Sequence, residues 1–198
     1  MDIMVIVYAI LAYLIGSIPS GLIIGKTFFN TDVRQYGSKN IGATNTYRVI
    51  GLKAALPVFI CDALKGAAGV VLLSSYGPMY MILGGILAMM GHNWSIFLGF
   101  KGGRGVATGL GVLIALSPLV ALIGFLVWGV IVYFTKLVSL GSIIAAALVP
   151  ILMYFTGESY WFVGFGSLAA LFVIVRHWDN IKRLLAGNEL KVERIKKD

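Results

Sequence analysis

Five stretches of this chain carry no Asp, Glu, Lys or Arg: 3–25, 66–100, 105–135, 137–157 and 159–175. A helix crosses a hydrocarbon core with roughly 20 apolar residues, so most of the chain is long enough and apolar enough to lie in lipid. Lipid offers no water to backbone amides, and runs of this kind satisfy them as helices. Composition agrees: 12% of residues are charged and 59% hydrophobic, where a soluble domain carries about 25% charge. The sequence therefore predicts an all-α, polytopic integral membrane protein, with residues 1–198 forming a single membrane-embedded domain. The first run is too long, and its flanks too poor in cations, for a cleaved signal peptide. The only cysteine, Cys61, allows no internal disulfide.

Turn chemistry divides these runs. Ser74-Ser75-Tyr76-Gly77-Pro78, Ser117-Pro118 and Thr156-Gly157-Glu158-Ser159 all read as breaks. Seven spanning or partly spanning helices follow, near 3–28, 53–74, 78–98, 104–117, 118–135, 138–156 and 159–176. With the N-terminus outside and the C-terminus inside, all 16 basic residues except Lys65 fall in inner segments. Cations collect on the cytoplasmic side, which supports this orientation and explains the net charge of +8 without nucleic acid. The stretch 105–116 is only about 18 Å long as a helix, so a short, protein-packed element is expected there.

Three polar segments share the inner side: NTDVRQYGSKNIGATNTYR at 30–48, GHNWSIFLGFKGGRGVATG at 91–109, and RHWDNIKRLLAGNE at 176–189. Glycine lets backbone amides approach an anion, and a helix N-terminus adds positive potential. Lys101 and Arg104 add charge, and a guanidinium can bind two phosphate oxygens. Carboxylates are scarce, with Asp32, Asp179 and Glu189 only, which argues against an Asp-rich metal site or a two-carboxylate hydrolase. The glycine loop fits neither GxxxxGK[ST] nor GxGxxG. Packing offers a plainer reading of the GxxxG spacings at Gly21–Gly25 and Gly105–Gly109. His92 and His177 also suit satisfied interior positions. Asp62 and Lys65, three apart within a span, are either functional or a helix-pinning ion pair. The tail 191–197 reads as solvated or facing lipid headgroups.

Taken in order, GSKNIGATNTYR at 37–48, GHNWSIFLGFKGGRGVATGLG at 91–111 and RHWDNIKRLLAGNE at 176–189, with AYLIGSIPSGLIIGK at 12–26, resemble the bacterial acyl-phosphate:glycerol-3-phosphate acyltransferase family. Arg104 stands where many members carry lysine. The resemblance implies transfer of a fatty acyl group from acyl phosphate to the 1-hydroxyl of sn-glycerol 3-phosphate, giving lysophosphatidate and inorganic phosphate. It implies no cofactor, no metal, no direct use of acyl-CoA or acyl carrier protein, and a multi-pass place in the bacterial cell membrane with the site facing the cytoplasm. Glycerol 3-phosphate, acyl phosphate and membrane lipid are the expected partners. The catalytic candidates are His177, Asn180, Ser38 and Arg48. The phosphate-binding candidates are Lys39, Asn40, Thr44, Asn45, His92, Lys101, Gly102, Gly103, Arg104, Gly105, Thr108 and Arg183. The base is either His177 or a substrate phosphate, and no covalent acyl-enzyme is expected. The competing reading is a membrane transporter of a phosphorylated solute, for which inverted repeats are expected; none is visible.

Overall fold

The computed structural model describes residues 2–194. Its α-helices are α1 (Ile3–Ser17), α2 (Ser20–Phe29), α3 (Ala43–Val49), α4 (Leu52–Leu72), α5 (Pro78–Asn93), α6 (Val106–Leu116), α7 (Pro118–Thr135), α8 (Val138–Phe155), α9 (Tyr160–Arg176) and α10 (Trp178–Leu185). Short 3-10 turns cover Val33–Gln35, Ser74–Tyr76 and Ile96–Leu98. Four helical segments, Leu52–Tyr76, Pro78–Leu98, Pro118–Thr135 and Val138–Phe155, are long and apolar enough to cross a membrane. The number rises to six if the bent pairs α1–α2 and α9–α10 each count as one span. The helix α6 is apolar but has only 11 residues, as its expected length required. Lys196 and Lys197 of the basic tail lie outside the described residues.

Three boundaries differ from the sequence reading. The first helix is not continuous over 3–28: it bends by 46° between α1 and α2. Pro19 lacks an N–H, and its ring drives Ile18 out of the helical region, to φ −58° and ψ 118°. The third helix stops at Asn93 instead of 98, because Trp94 leaves helical geometry. The polar loop after α2 is partly helical, since α3 occupies its second half.

The described chain forms two compact units, one comprising residues up to Val112 with the segment from Val192, the other Leu113–Lys191. In the first, α1, α4 and α5 pack against one another, and α4 carries α2 and α3. Helices in lipid gain little from apolar burial and associate through close van der Waals contact at small residues. Gly16 of α1 lies on the backbone of Ala88, and Gly69 of α4 lies 2.7 Å from the Gly84 carbonyl of α5, measured from where a β-carbon would sit. Of the two GxxxG spacings, Gly21 and Gly25 pack on the carbonyls of Ile41 and Thr31, which are loop backbone and not a second helix. In the second unit, Val120, Val149 and Met153 form a core closed by Leu113, Leu152, Phe162 and Val163. Polarity is reversed from a soluble protein. Phe134, Phe155 and Leu168 are exposed, while Asp62, Lys65, Asn93 and Asn180 are buried.

Candidate active site

The first polar segment begins where α2 ends. Asn30 adopts the left-handed conformation, with φ 46°, and turns the chain. Asp32 then accepts from Arg34 Nε at 2.9 Å and pairs with Lys26 at 3.3 Å. The Arg34 hydrogen bond holds the Asp32 carboxyl well below the usual carboxylate range. Asn45, on α3, organises the rest of the segment. Its side-chain amide donates to the carbonyls of Val33 (2.8 Å), Tyr36 (3.2 Å) and Asn40 (2.9 Å), and its oxygen accepts from the Ser38 amide at 2.8 Å. Asn40 in turn accepts from the Gly42 amide. Asn45 is 1% exposed and its hydrogen bonds run to loop backbone, so it shapes the segment that presents Ser38. Ser38 and Thr44 are half-buried, Arg48 is buried in α3, and Lys39 is exposed at a positive φ of 58°.

The second segment folds back over the C-terminal end of α5. Gly99, Phe100 and Gly105 all have positive φ. Asn93 ties its side chain to the Met89 carbonyl at 2.7 Å. Gly102 rests on the His92 and Asn93 carbonyls, Gly103 on the His92 imidazole, and Gly105 on the Asn93 side-chain amide. The Gly103 amide donates to the His92 carbonyl at 3.0 Å, and the Lys101 amide to that of Leu98 at 3.3 Å. These glycines are therefore needed for the loop to lie on α5, and two of the amides expected to face an anion are bonded within the protein. Of the two cationic side chains, Lys101 is exposed and Arg104 half-buried. Thr108 is fully buried, its carbonyl against Gly66 of α4.

In the second unit the chain bends by 60° between α9 and α10, with His177 at the bend. His177 Nδ1 lies 2.8 Å from the Val173 carbonyl. A carbonyl only accepts, so Nδ1 carries the proton, and Nε2 is the basic nitrogen of the neutral ring. His177 and Asn180 are each 2% exposed, one helical turn apart. Asn180 donates to Glu189 Oε1 at 2.6 Å, Ser139 at the start of α8 donates to the same oxygen at 3.1 Å, and Arg183 Nε donates to Oε2 at 2.8 Å. Glu189 is thus the hub that holds Asn180, and Arg183 is engaged with it. The sequence reading counts this carboxylate only against an acidic metal site and gives it no role; the available signal is a single Glu closing a segment rich in Arg and Lys.

The family model described as glycerol-3-phosphate acyltransferase matches residues 6–187. Glycerol-3-phosphate acyltransferase of Fusobacterium nucleatum is 47% identical over 186 residues, covering 93% of this chain and 96% of that protein. Glycerol-3-phosphate acyltransferase 2 of Moorella thermoacetica is 47% identical over 184 residues, covering 92% and 95%. Among solved structures, the glycerol 3-phosphate form of PlsY (YgiH), an integral membrane glycerol 3-phosphate acyltransferase, superposes with a TM-score of 0.89 at 39% identity over 94% of both chains. Its lysophosphatidic acid form gives 0.87 at 38% identity, again over 94% of each. The chain belongs to the glycerol-3-phosphate acyltransferase family, as a membrane protein of lipid biosynthesis.

Proposed function

We propose that this chain transfers a fatty acyl group from acyl phosphate to the 1-hydroxyl of sn-glycerol 3-phosphate, yielding lysophosphatidate and inorganic phosphate. The observation that carries this reading is the near full-length likeness to a structure known in both a glycerol 3-phosphate form and a lysophosphatidic acid form, an acceptor and an acylated product of one reaction. The acyl-phosphate donor is supported by the ordered set of three polar segments.

The hydroxyl oxygen attacks the acyl carbonyl carbon, the bond from that carbon to the phosphate oxygen breaks, and phosphate leaves with the electron pair. The donor is already activated, so a covalent enzyme intermediate is unnecessary. Lys101 and Arg104 are assigned to the glycerol 3-phosphate phosphate. Ser38, Lys39 and Arg48 are assigned to the acyl-phosphate headgroup, on the segment that Asn45 shapes. His177 orients the attacking hydroxyl. Its Nε2, basic because Nδ1 is held by Val173, takes the proton, unless the phosphate monoester, with a second pKa near ~6, does so itself. Asn180, anchored by Glu189, supports developing negative charge. The cation distribution supports an outside N-terminus and a cytoplasm-facing site.

The test uses purified protein in lipid with labelled glycerol 3-phosphate. Lysophosphatidate is expected with acyl phosphate and not with acyl-CoA. No product from acyl phosphate would overturn the reading.

A further inference from the structure

Two charged residues in α4, Asp62 and Lys65, take no part in the chemistry above, yet they are 2% and 5% exposed within a membrane-spanning helix. An ion pair at such depth is costly and needs a compensating role. The Lys65 ammonium lies 2.6 Å from Asp62 Oδ1 and donates to the Ile18 carbonyl at 2.8 Å. Ile18 is the residue at the Pro19 break, and its carbonyl accepts there from the Ser20 amide at 3.0 Å as well as from Lys65, so the ammonium ties α4 to the turn itself. The preceding carbonyl, that of Ser17, accepts from Ser95 Oγ at 2.5 Å. The bend that aims α2 is therefore fastened by Lys65 and Ser95. Beyond the bend, Gly21 and Gly25 of α2 bear directly on the first polar segment at Ile41 and Thr31.

The other side of the pair faces the second segment. Asp62 Oδ1 lies 3.7 Å from His92 Nδ1, a buried electrostatic contact longer than a hydrogen bond, and the His92 ring supports Gly103. All of these groups belong to the first compact unit. One buried chain thus runs from the helix break, through Lys65 and Asp62, to His92 and the Gly–Lys–Arg loop.

We propose that Lys65 and Asp62 are positioning residues for acyl transfer, with Lys65 setting both phosphate-facing segments and Asp62 setting the Gly–Lys–Arg loop through His92. This inference rests on the acyl-transfer reading for its kinetic consequences, but not for its structural one.

The experiment compares Asp62→Asn, Lys65→Met and the double variant in lipid, reading kcat, the KM of each substrate and hydrogen exchange of residues 99–105. Removing both charges leaves no unpaired buried ion, so the double variant is expected to fold with an unfolding temperature near that of the unaltered protein. Its kcat/KM is nevertheless expected to fall about 100-fold, the scale of a misplacement of about 1 Å. Its 99–105 amides are expected to exchange about tenfold faster or more. Asp62→Asn keeps the Lys65–Ile18 bond, so one substrate's KM is expected to rise about tenfold and the other to stay within about threefold, whereas Lys65→Met raises both. A double variant with unchanged kcat/KM and unchanged exchange would overturn the proposal, as would equal effects of Asp62→Asn on both KM values. If the double variant does not fold, Asp62→Asn alone decides by the same split. If the unaltered protein gives no lysophosphatidate, the acyl-transfer reading has failed, and the exchange measurement decides the positioning role by itself.

Discussion

Gly103 has no room for a methyl group, because a β-carbon there would enter the His92 imidazole, which is itself buried. Gly103→Ala must push the ring or lift the loop, at an expected cost of about 1–3 kcal/mol. Thermal unfolding in detergent and the glycerol 3-phosphate KM should both register it. The neighbouring cation has no such packing duty. Lys101→Ala is expected to leave the unfolding temperature unchanged while raising a phosphate-substrate KM about tenfold. An unchanged KM would remove Lys101 from the phosphate site. The same contrast explains what could be read beforehand at this scale. Lys101 and Arg104 stood out because cations near a span boundary are conspicuous. The packing duty of Gly102, Gly103 and Asn45 did not, because the partners are backbone carbonyls and a ring brought together only by folding. His177 was legible as a residue type, while its tautomer depends on the Val173 carbonyl one turn back. His177→Asn is expected to lower kcat by about 100-fold or more with little change in KM. Substantial residual turnover would assign the proton to a substrate phosphate instead.

Two short elements, one in each unit, each hang on one carboxylate. Glu189 accepts from Asn180, Ser139 and Arg183. Glu189→Ala leaves three donors without their acceptor and is expected to cost about 2–4 kcal/mol, with Asn180 losing its orientation. Differential unfolding of the variant checks this. Asp32 fastens the turn after α2 to Lys26 and Arg34. Its pKa is lowered in the folded protein chiefly by the Arg34 hydrogen bond. The stabilisation is therefore present above the unfolded-state value of about 3.9 and is lost as pH falls from there through the lower folded-state value. Asp32→Asn is expected to be less stable at neutral pH, by at most about 1 kcal/mol because both partner cations are largely in solvent, and equal to the unaltered protein in strong acid. Element boundaries show where sequence reasoning ran short. The Ser-Ile-Pro step at 17–19 held a break that a continuous apolar run concealed. The α3 helix hid inside a polar stretch because polar composition signals solvent contact, not backbone conformation.

For the molecule as a whole, apolar run length was the most reliable guide. It predicted an all-α membrane chain, and the helices α4, α7 and α8 fall within two residues of their expected bounds. Orientation rests on cation placement. With Cys61 replaced, Tyr160→Cys should react with an impermeant thiol reagent added to intact cells, and Ala186→Cys only after permeabilisation. Both positions are exposed, so the reverse pattern would invert the topology. What run length could not supply was the full buried polar framework: Asp62 and Lys65 are legible as neighbours on one helix, but His92 reaches Asp62, and Ser139 reaches Glu189, only because folding brings separate segments together. The central claim is direct transfer from acyl phosphate to the glycerol 3-phosphate hydroxyl, and phosphate release measured with and without that acceptor tests it most directly. One phosphate should appear for each lysophosphatidate formed, and none above the spontaneous rate when glycerol 3-phosphate is withheld. A burst of phosphate equal to the enzyme in the absence of acceptor would contradict it.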